Sequence, residues 1–183
     1  MVERLEKRYR ITMSWNYEKE EQWINELSEQ GLHLKKAGAL KSFFTCDPTT
    51  RFTYRLDYQP GLKKNRTMQD YLDLYQDAGW EYVVSYGGTW HYFRKEFMPG
   101  EPPRLYTDRE SLIAQYKKIQ RVMGGVFIAN IVIFSANMTN LLSRFSDRLW
   151  GIIVPVMAIY FILFVLLGFG YVKTGNKIKK LVK

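Results

Sequence analysis

Trp23-Ile24-Asn25-Glu26-Leu27-Ser28-Glu29-Gln30-Gly31-Leu32-His33-Leu34 and Tyr71-Leu72-Asp73-Leu74-Tyr75-Gln76-Asp77-Ala78-Gly79-Trp80-Glu81-Tyr82 follow one pattern. In each, apolar residues at helical spacing lead to a glycine, after which apolar residues alternate as in a strand. The first helix is expected over Tyr17–Gln30, with Asn16 as cap, Glu18, Glu20 and Glu21 in its first turn, and Gly31 as stop. The second is expected from Met68 to Ala78, capped by Thr67 with Asp70 three residues on, and stopped by Gly79.

Strand signals flank both helices. Upstream, Tyr9, Ile11 and Met13 alternate with Arg8, Arg10 and Thr12, and Arg51–Tyr58 places Phe52, Tyr54, Leu56 and Tyr58 on one face. Downstream, Leu40–Cys46 corresponds to Trp90–Glu96, the latter reached from Tyr86 through the Gly87-Gly88 hairpin turn. The unit strand–helix–strand–strand is therefore used twice. Internal duplication explains the match, and so does the shared chemistry of helix–glycine–strand junctions. Either way the expected product is an α+β domain over residues 1–98, tandem βαββ units forming an antiparallel sheet with helices on one face.

Beyond this domain the composition changes. No charged residue occurs in Val122–Leu142 or in Leu149–Val172. A spanning helix needs roughly 20 predominantly apolar residues; the second run offers no polar face to water, while the first contains Asn130 and ends in Asn137, Thr139 and Asn140, which fit an exit into the far headgroup region. The expected organisation is a linker at 99–106, a juxtamembrane helix at 107–121, a transmembrane helix at 122–142, an external loop at 143–148, a second transmembrane helix at 149–172 and a basic tail at 173–183. Thr107-Asp108-Arg109-Glu110 matches a capping box, and the helix it begins is either a stalk or lies along the lipid surface. Asn130 is a tolerated polar residue. The charged or histidine side chains expected of an ion path are missing from both runs.

The net charge of +9 invites a nucleic-acid reading until it is divided. Residues 1–98 hold 15 Lys/Arg against 14 Asp/Glu, whereas 149–183 holds five lysines and no acid. The excess is a topology signal, and nucleic acid is not an expected partner. Arg109, Lys117, Lys118 and Arg121 precede the first run and the lysines follow the second, so both termini are expected in the cytoplasm of a multi-pass cell-membrane protein. The uncleaved, charged Met1–Arg10 stretch and the single Cys46 suit a reducing compartment.

Trp15-Asn16, the Trp23–Leu34 stretch, Tyr54-Arg55-Leu56-Asp57-Tyr58, Ala78-Gly79-Trp80-Glu81-Tyr82 and His91-Tyr92-Phe93 resemble an uncharacterised bacterial membrane-protein family, domain of unknown function 2812, over residues 8–96. Members of that family often end in apolar spans, and their genes often lie near PadR-type transcriptional regulators. The resemblance implies a regulated, membrane-associated role but supplies no activity and no site residues. The doubled unit also resembles the arrangement in GyrI-like ligand-binding domains, by topology alone.

No catalytic constellation emerges, so an enzyme is not expected. Cys46 lacks an activating base, His33 and His91 are two ligands at most, and no cofactor or metal is implied. Glu18, Glu20, Glu21, Asp73 and Asp77 read as solvated faces. What remains is an excess of aromatic residues. Large rings fill the core of a small domain, or some of them line an apolar pocket, for which Tyr54, Trp80, Tyr82, Trp90 and Tyr92 are the candidates. The functional expectation is a membrane-tethered cytoplasmic binding or interaction module, sensing an apolar or amphiphilic small molecule in envelope or drug-stress regulation. The alternative is an accessory subunit that docks on a transporter or another membrane protein, or on itself, with the soluble domain as scaffold.

Overall fold

The computed structural model describes residues 5–62, 66–98, 109–143 and 150–182. The expected linker at 99–106, most of the loop at 143–148, and Thr107 and Asp108 of the capping box lie outside the described residues. The chain divides near Ser111 into two compact units.

In the first unit the order is β1 (Leu5–Tyr9), α1 (Tyr17–Glu29), β2 (Leu32–Lys36), β3 (Lys41–Cys46), β4 (Phe52–Tyr58), α2 (Arg66–Asp77), β5 (Glu81–Tyr86) and β6 (Trp90–Glu96). The strands form two antiparallel three-stranded sheets, ordered β1-β3-β2 and β4-β6-β5. Each half is thus built alike, its last strand in the middle. The sheets are separate, with β2 and β5 approaching each other at the inner edges. Helix α1 packs on β2 of its own half and on β4 of the other, and α2 packs on β5.

The doubling extends to backbone detail. Gly31 and Gly79 both take the left-handed conformation, at φ 76° and 78°. Their N–H groups donate to the carbonyls three residues back, Ser28 and Gln76. Register slips occur between Leu34 and Lys36 in one sheet and between Tyr82 and Val84 in the other, the same place in each unit. Ordinary junction chemistry does not require a shared irregularity, so the repeat is structural. The Gly87-Gly88 turn forms as expected, both residues at positive φ and Thr89 N–H donating to the Tyr86 carbonyl over 3.3 Å.

Three local expectations are corrected. The first strand runs Leu5–Tyr9 rather than Arg8–Met13, because β3 pairs Leu5 with Thr45 and Tyr9 with Lys41. The Tyr9-Ile11-Met13 stripe is exposed, and a short 3₁₀ turn at Ser14–Asn16 leads the chain into α1. Asn16 holds the N-cap position of α1 without a side-chain capping bond. Helix α2 begins at Arg66, two residues before the expected start at Met68.

The second unit consists of α3 (Arg109–Ser143) and α4 (Trp150–Val182). At 1.5 Å per residue each is about 50 Å long. Their contacts run antiparallel: Asn137 Nδ2 donates to Tyr160 Oη at 3.2 Å, Phe127 meets Phe164, and Gln120 Nε2 donates to the Tyr171 carbonyl at 3.2 Å. The pairing continues where Lys177 Nζ lies 5.2 Å from the Tyr116 ring centroid. The first part of α3 therefore meets the lysine-rich part of α4, and the expected basic tail at 173–183 is helix through Val182. Both helices are long and apolar enough to cross a membrane.

The two stop glycines differ in surroundings, which yields a test. Alanine at either carries the left-handed backbone penalty of about 1–2 kcal/mol. At Gly31 an added Cβ would also lie 2.7 Å from Pro48 Cα, whereas at Gly79 it meets only the flexible end of Lys95. Gly31→Ala is expected to lower the thermal midpoint of the detergent-solubilised chain clearly more than Gly79→Ala. Equal shifts would contradict the packing around Gly31.

Candidate functional site

A strand at the edge of a sheet leaves every second residue's N–H and C=O unpaired, and burying them without partners costs about 1–3 kcal/mol each. Strand β4 is such an edge, and α1 covers it with side chains. Glu21, Asn25 and Ser28 stand on one helical stripe. Glu21 Oε1 accepts from Leu56 N–H at 2.7 Å. Asn25 Oδ1 accepts from Tyr54 N–H at 2.6 Å, and its Nδ2 donates to the Tyr54 carbonyl at 3.2 Å. Ser28 Oγ accepts from Phe52 N–H at 2.9 Å and donates to the Phe52 carbonyl at 2.8 Å. The stripe does for β4 what a neighbouring strand would do.

Glu20 and Glu21 are accordingly not a solvated face. Burial raises the Glu21 carboxyl to about 7, against the opposing pull of Arg55 and the Leu56 N–H. Glu20 is also raised, by burial first, and accepts from Tyr92 Oη at 2.6 Å.

The five candidate ring residues are not brought to one place. Tyr54, Trp90 and Tyr92 share one face of the second sheet and are buried. Tyr54 Oη accepts from Leu34 N–H at 3.2 Å, Tyr92 holds Glu20, and Trp90 packs 4.8 Å from Tyr58. The space beside Glu20, Trp23 and Tyr86 is only about 30 Å³, room for one water. Tyr82 lies on the opposite face with Phe93 and His91.

That opposite face carries a polar cluster beneath α2. Asp57 Oδ2 accepts from Tyr71 Oη at 2.7 Å and from Tyr75 Oη at 3.0 Å. His91, paired with Asp57 across the ladder, is buried, and burial lowers its pKa despite the nearby carboxylate. His33 sits in the other sheet, where Nε2 lies 2.9 Å from the Asp47 carbonyl and 3.1 Å from Thr50 Oγ1. Among the described residues no three His, Cys, Asp or Glu side chains are placed to hold a metal.

Trp80 and Tyr82 do meet at a surface feature. With Gln69, Leu72 and Gln76 of α2, and with Gly79 and Glu81, they line an open groove of about 460 Å³. Trp80 forms its buried floor, while Leu72 and Tyr82 are half-buried at its sides. Two of the five candidates, Trp80 and Tyr82, therefore line this groove, and Tyr54, Trp90 and Tyr92 do not.

Residues 16–128 match the model of the family described as Protein of unknown function (DUF2812). The chain belongs to this family. The DUF2812 match begins after β1, covers α1 to β6 and continues into α3, so the repeat and the start of the hairpin are both family features. No curated protein and no solved structure matches the chain. The likeness to GyrI-like domains therefore rests on the tandem βαββ order alone.

Titration of Glu21 gives a measurable consequence. Its folded pKa of about 7 lies above the ordinary 4.5. The fold thus favours the protonated acid: this contribution is complete below about pH 4.5 and is lost as pH rises through about 7. Glu21→Gln, which keeps an acceptor for Leu56 N–H, is expected to flatten that part of the stability profile. At pH 8 it should gain up to about 3 kcal/mol on the parent chain. Thermal midpoints from pH 4 to 8 are the measurement, and parallel profiles for the two proteins would refute the assignment.

Proposed function

We propose that this DUF2812 protein is a membrane-anchored binding module, with the α3–α4 hairpin in the bilayer and the α+β unit in the cytoplasm. The observation that carries this reading is the outward surface of the hairpin: Ile128, Val132, Ile159 and Phe161 are each 63–70% exposed. Water does not tolerate a continuous apolar surface of that kind, and lipid does. Lys117, Lys118 and Arg121 in the early part of α3 and Lys173, Lys177, Lys179 and Lys180 in the late part of α4 lie toward the same end of the antiparallel pair, which supports two crossings with both ends cytoplasmic.

The α2–β5 groove is where the binding is assigned. Its volume falls within the range of small-molecule sites, and Trp80, Tyr82 and Leu72 offer apolar walls with Gln69, Gln76 and Glu81 as polar points. An apolar or amphiphilic compound partitioning from the bilayer suits such walls, and a module sensing such a compound would serve envelope or drug-stress regulation. The accessory-subunit reading draws on the hairpin instead. Added Cβ atoms at Gly125 and Gly168 would meet nothing within 4 Å, which leaves room for close approach of another membrane helix.

Topology is tested first. Reporter fusions after Arg121 and after Lys183 should both signal cytoplasm, and one inserted between 144 and 149 should signal the outside; an external C-terminal reporter would end the hairpin proposal. For the groove, a panel of apolar cations and amphiphiles is expected to quench tryptophan emission and to raise the melting temperature with ligand excess, both lost in Trp80→Leu.

A further inference from the structure

The α2–β5 groove has a counterpart in the first half of the molecule, and there it is filled. A shift of 48 residues carries Trp23 onto Tyr71, Gly31 onto Gly79 and the slip at Leu34/Lys36 onto that at Tyr82/Val84. The same shift carries Glu21, Ile24, Ser28, His33 and Leu34 onto Gln69, Leu72, Gln76, Glu81 and Tyr82 of the groove.

The first set is the seat of β4. Glu21 and Ser28 hold its backbone, the His33 ring meets the Phe52 ring edge-on at 5.0 Å, and Leu34 N–H donates to Tyr54 Oη. Ile24, Ser28, His33 and Leu34 are buried beneath that strand, whereas Gln69, Gln76 and Glu81 are exposed and Leu72 and Tyr82 half-buried. The seat is repeated and its occupant is not.

The strand that the repeat would place there is β1. Leu34 faces Phe44 as Tyr82 faces Phe93, so Thr45 and Phe43 of β3 match Arg94 and Tyr92 of β6. Their partners are Leu5 and Lys7 in β1 and Tyr54 and Leu56 in β4, so Leu5 and Lys7 stand where β4 has Tyr54 and Leu56. The Lys7 ammonium, in the place of the Leu56 side chain, is a poor partner for a seat made of Leu72, Trp80 and Tyr82. Strand β1 pairs with β3 and leaves the seat vacant among the described residues of this unit.

We infer that the α2–β5 groove binds an extended segment of another polypeptide, about five residues long, with aromatic or aliphatic side chains at alternate positions. The segment runs antiparallel to α2, as β4 runs to α1, where Leu56 meets Glu21 and Phe52 meets Ser28. Gln69, Asp73 and Gln76 take the place of Glu21, Asn25 and Ser28 and supply side-chain donors and acceptors to its backbone. Apolar positions fill the space over Leu72, Trp80 and Tyr82, so the mode is strand-like recognition in which a helix stands in for the neighbouring strand.

The inference rests on the α+β unit being a binding module, and it is tested on the full chain in detergent. The probe is a labelled peptide of the β4 sequence, Arg-Phe-Thr-Tyr-Arg-Leu-Asp-Tyr, read by fluorescence anisotropy, with a control in which the alternation is scrambled. Saturable binding of the β4 peptide and none of the control is expected. Leu72→Asp should abolish it. The exposed substitutions Gln69→Ala and Gln76→Ala, which leave the core intact, should each weaken it roughly two- to tenfold. Absence of saturation, equal binding of the scrambled peptide, or equal binding to all three variants overturns the inference. So does a chain whose mass in solution halves on Leu72→Asp, because the occupant would then be a second copy. If the peptide fails while amphiphiles still quench Trp80, only the partner class is wrong; if both fail, the module reading falls as well.

Discussion

The amide of Asn25, bonded to both backbone groups of Tyr54, is the contact on which the α+β unit depends. Two three-stranded sheets have no ladder between them to fix their relation. Glu21, Asn25 and Ser28 supply that relation by giving the outer edge of β4 the partners a seventh strand would otherwise provide. Each such bond contributes about 1 kcal/mol net, but the larger effect is what happens without it, when a buried donor or acceptor is stranded. The same arrangement buries Glu21, whose raised pKa is a side effect of the helix standing in for a strand.

The edge also explains why a doubled sequence has not given a symmetric molecule. Both helices carry the polar stripe and both are followed by a left-handed glycine and a strand with a slip at the same place. What differs is the first strand of each half. Phe52, Tyr54 and Leu56 alternate with residues that tolerate the other face, and they seal the seat on α1. The matching positions of β1 are Leu5 and Lys7, and Lys7 has no apolar end to offer the seat on α2.

Much of this was legible in sequence where the signal had one reading. Alternation marked β3 to β6, the glycines marked the ends of both helices, and the charge-free runs marked α3 and α4. The alternation of Tyr9, Ile11 and Met13 misled, because register with β3 and the turn before α1 outweigh local pattern. Polar residues on a stripe of α1 look the same whether they face water or a strand edge, so the Glu21-Asn25-Ser28 contact was invisible without β4 beside it. The ring residues are divided for a related reason. Composition counts rings but does not say which face of a sheet they occupy, and of Tyr54, Trp80, Tyr82, Trp90 and Tyr92 only Trp80 and Tyr82 reach the groove.

The hairpin shows the same limit and its resolution. A lysine-rich C-terminal segment reads as a tail because nothing in its own pattern names a partner. The partner lies in α3, where the Tyr116 ring lies under Lys177 Nζ and Gln120 donates to the Tyr171 carbonyl. Thr174 Oγ1 donates to the Gly170 carbonyl at 2.9 Å and so needs no outside acceptor, while Gly124 and Gly175 let Tyr171 and Gln120 approach closely. Helices of about 50 Å exceed a hydrocarbon layer of about 30 Å by several turns. In the proposed topology that surplus stands at the basic end, where a seam of its own keeps the two helices paired beyond the lipid. Gln120 on the Tyr171 carbonyl and Lys177 over the Tyr116 ring are the contacts of that surplus length.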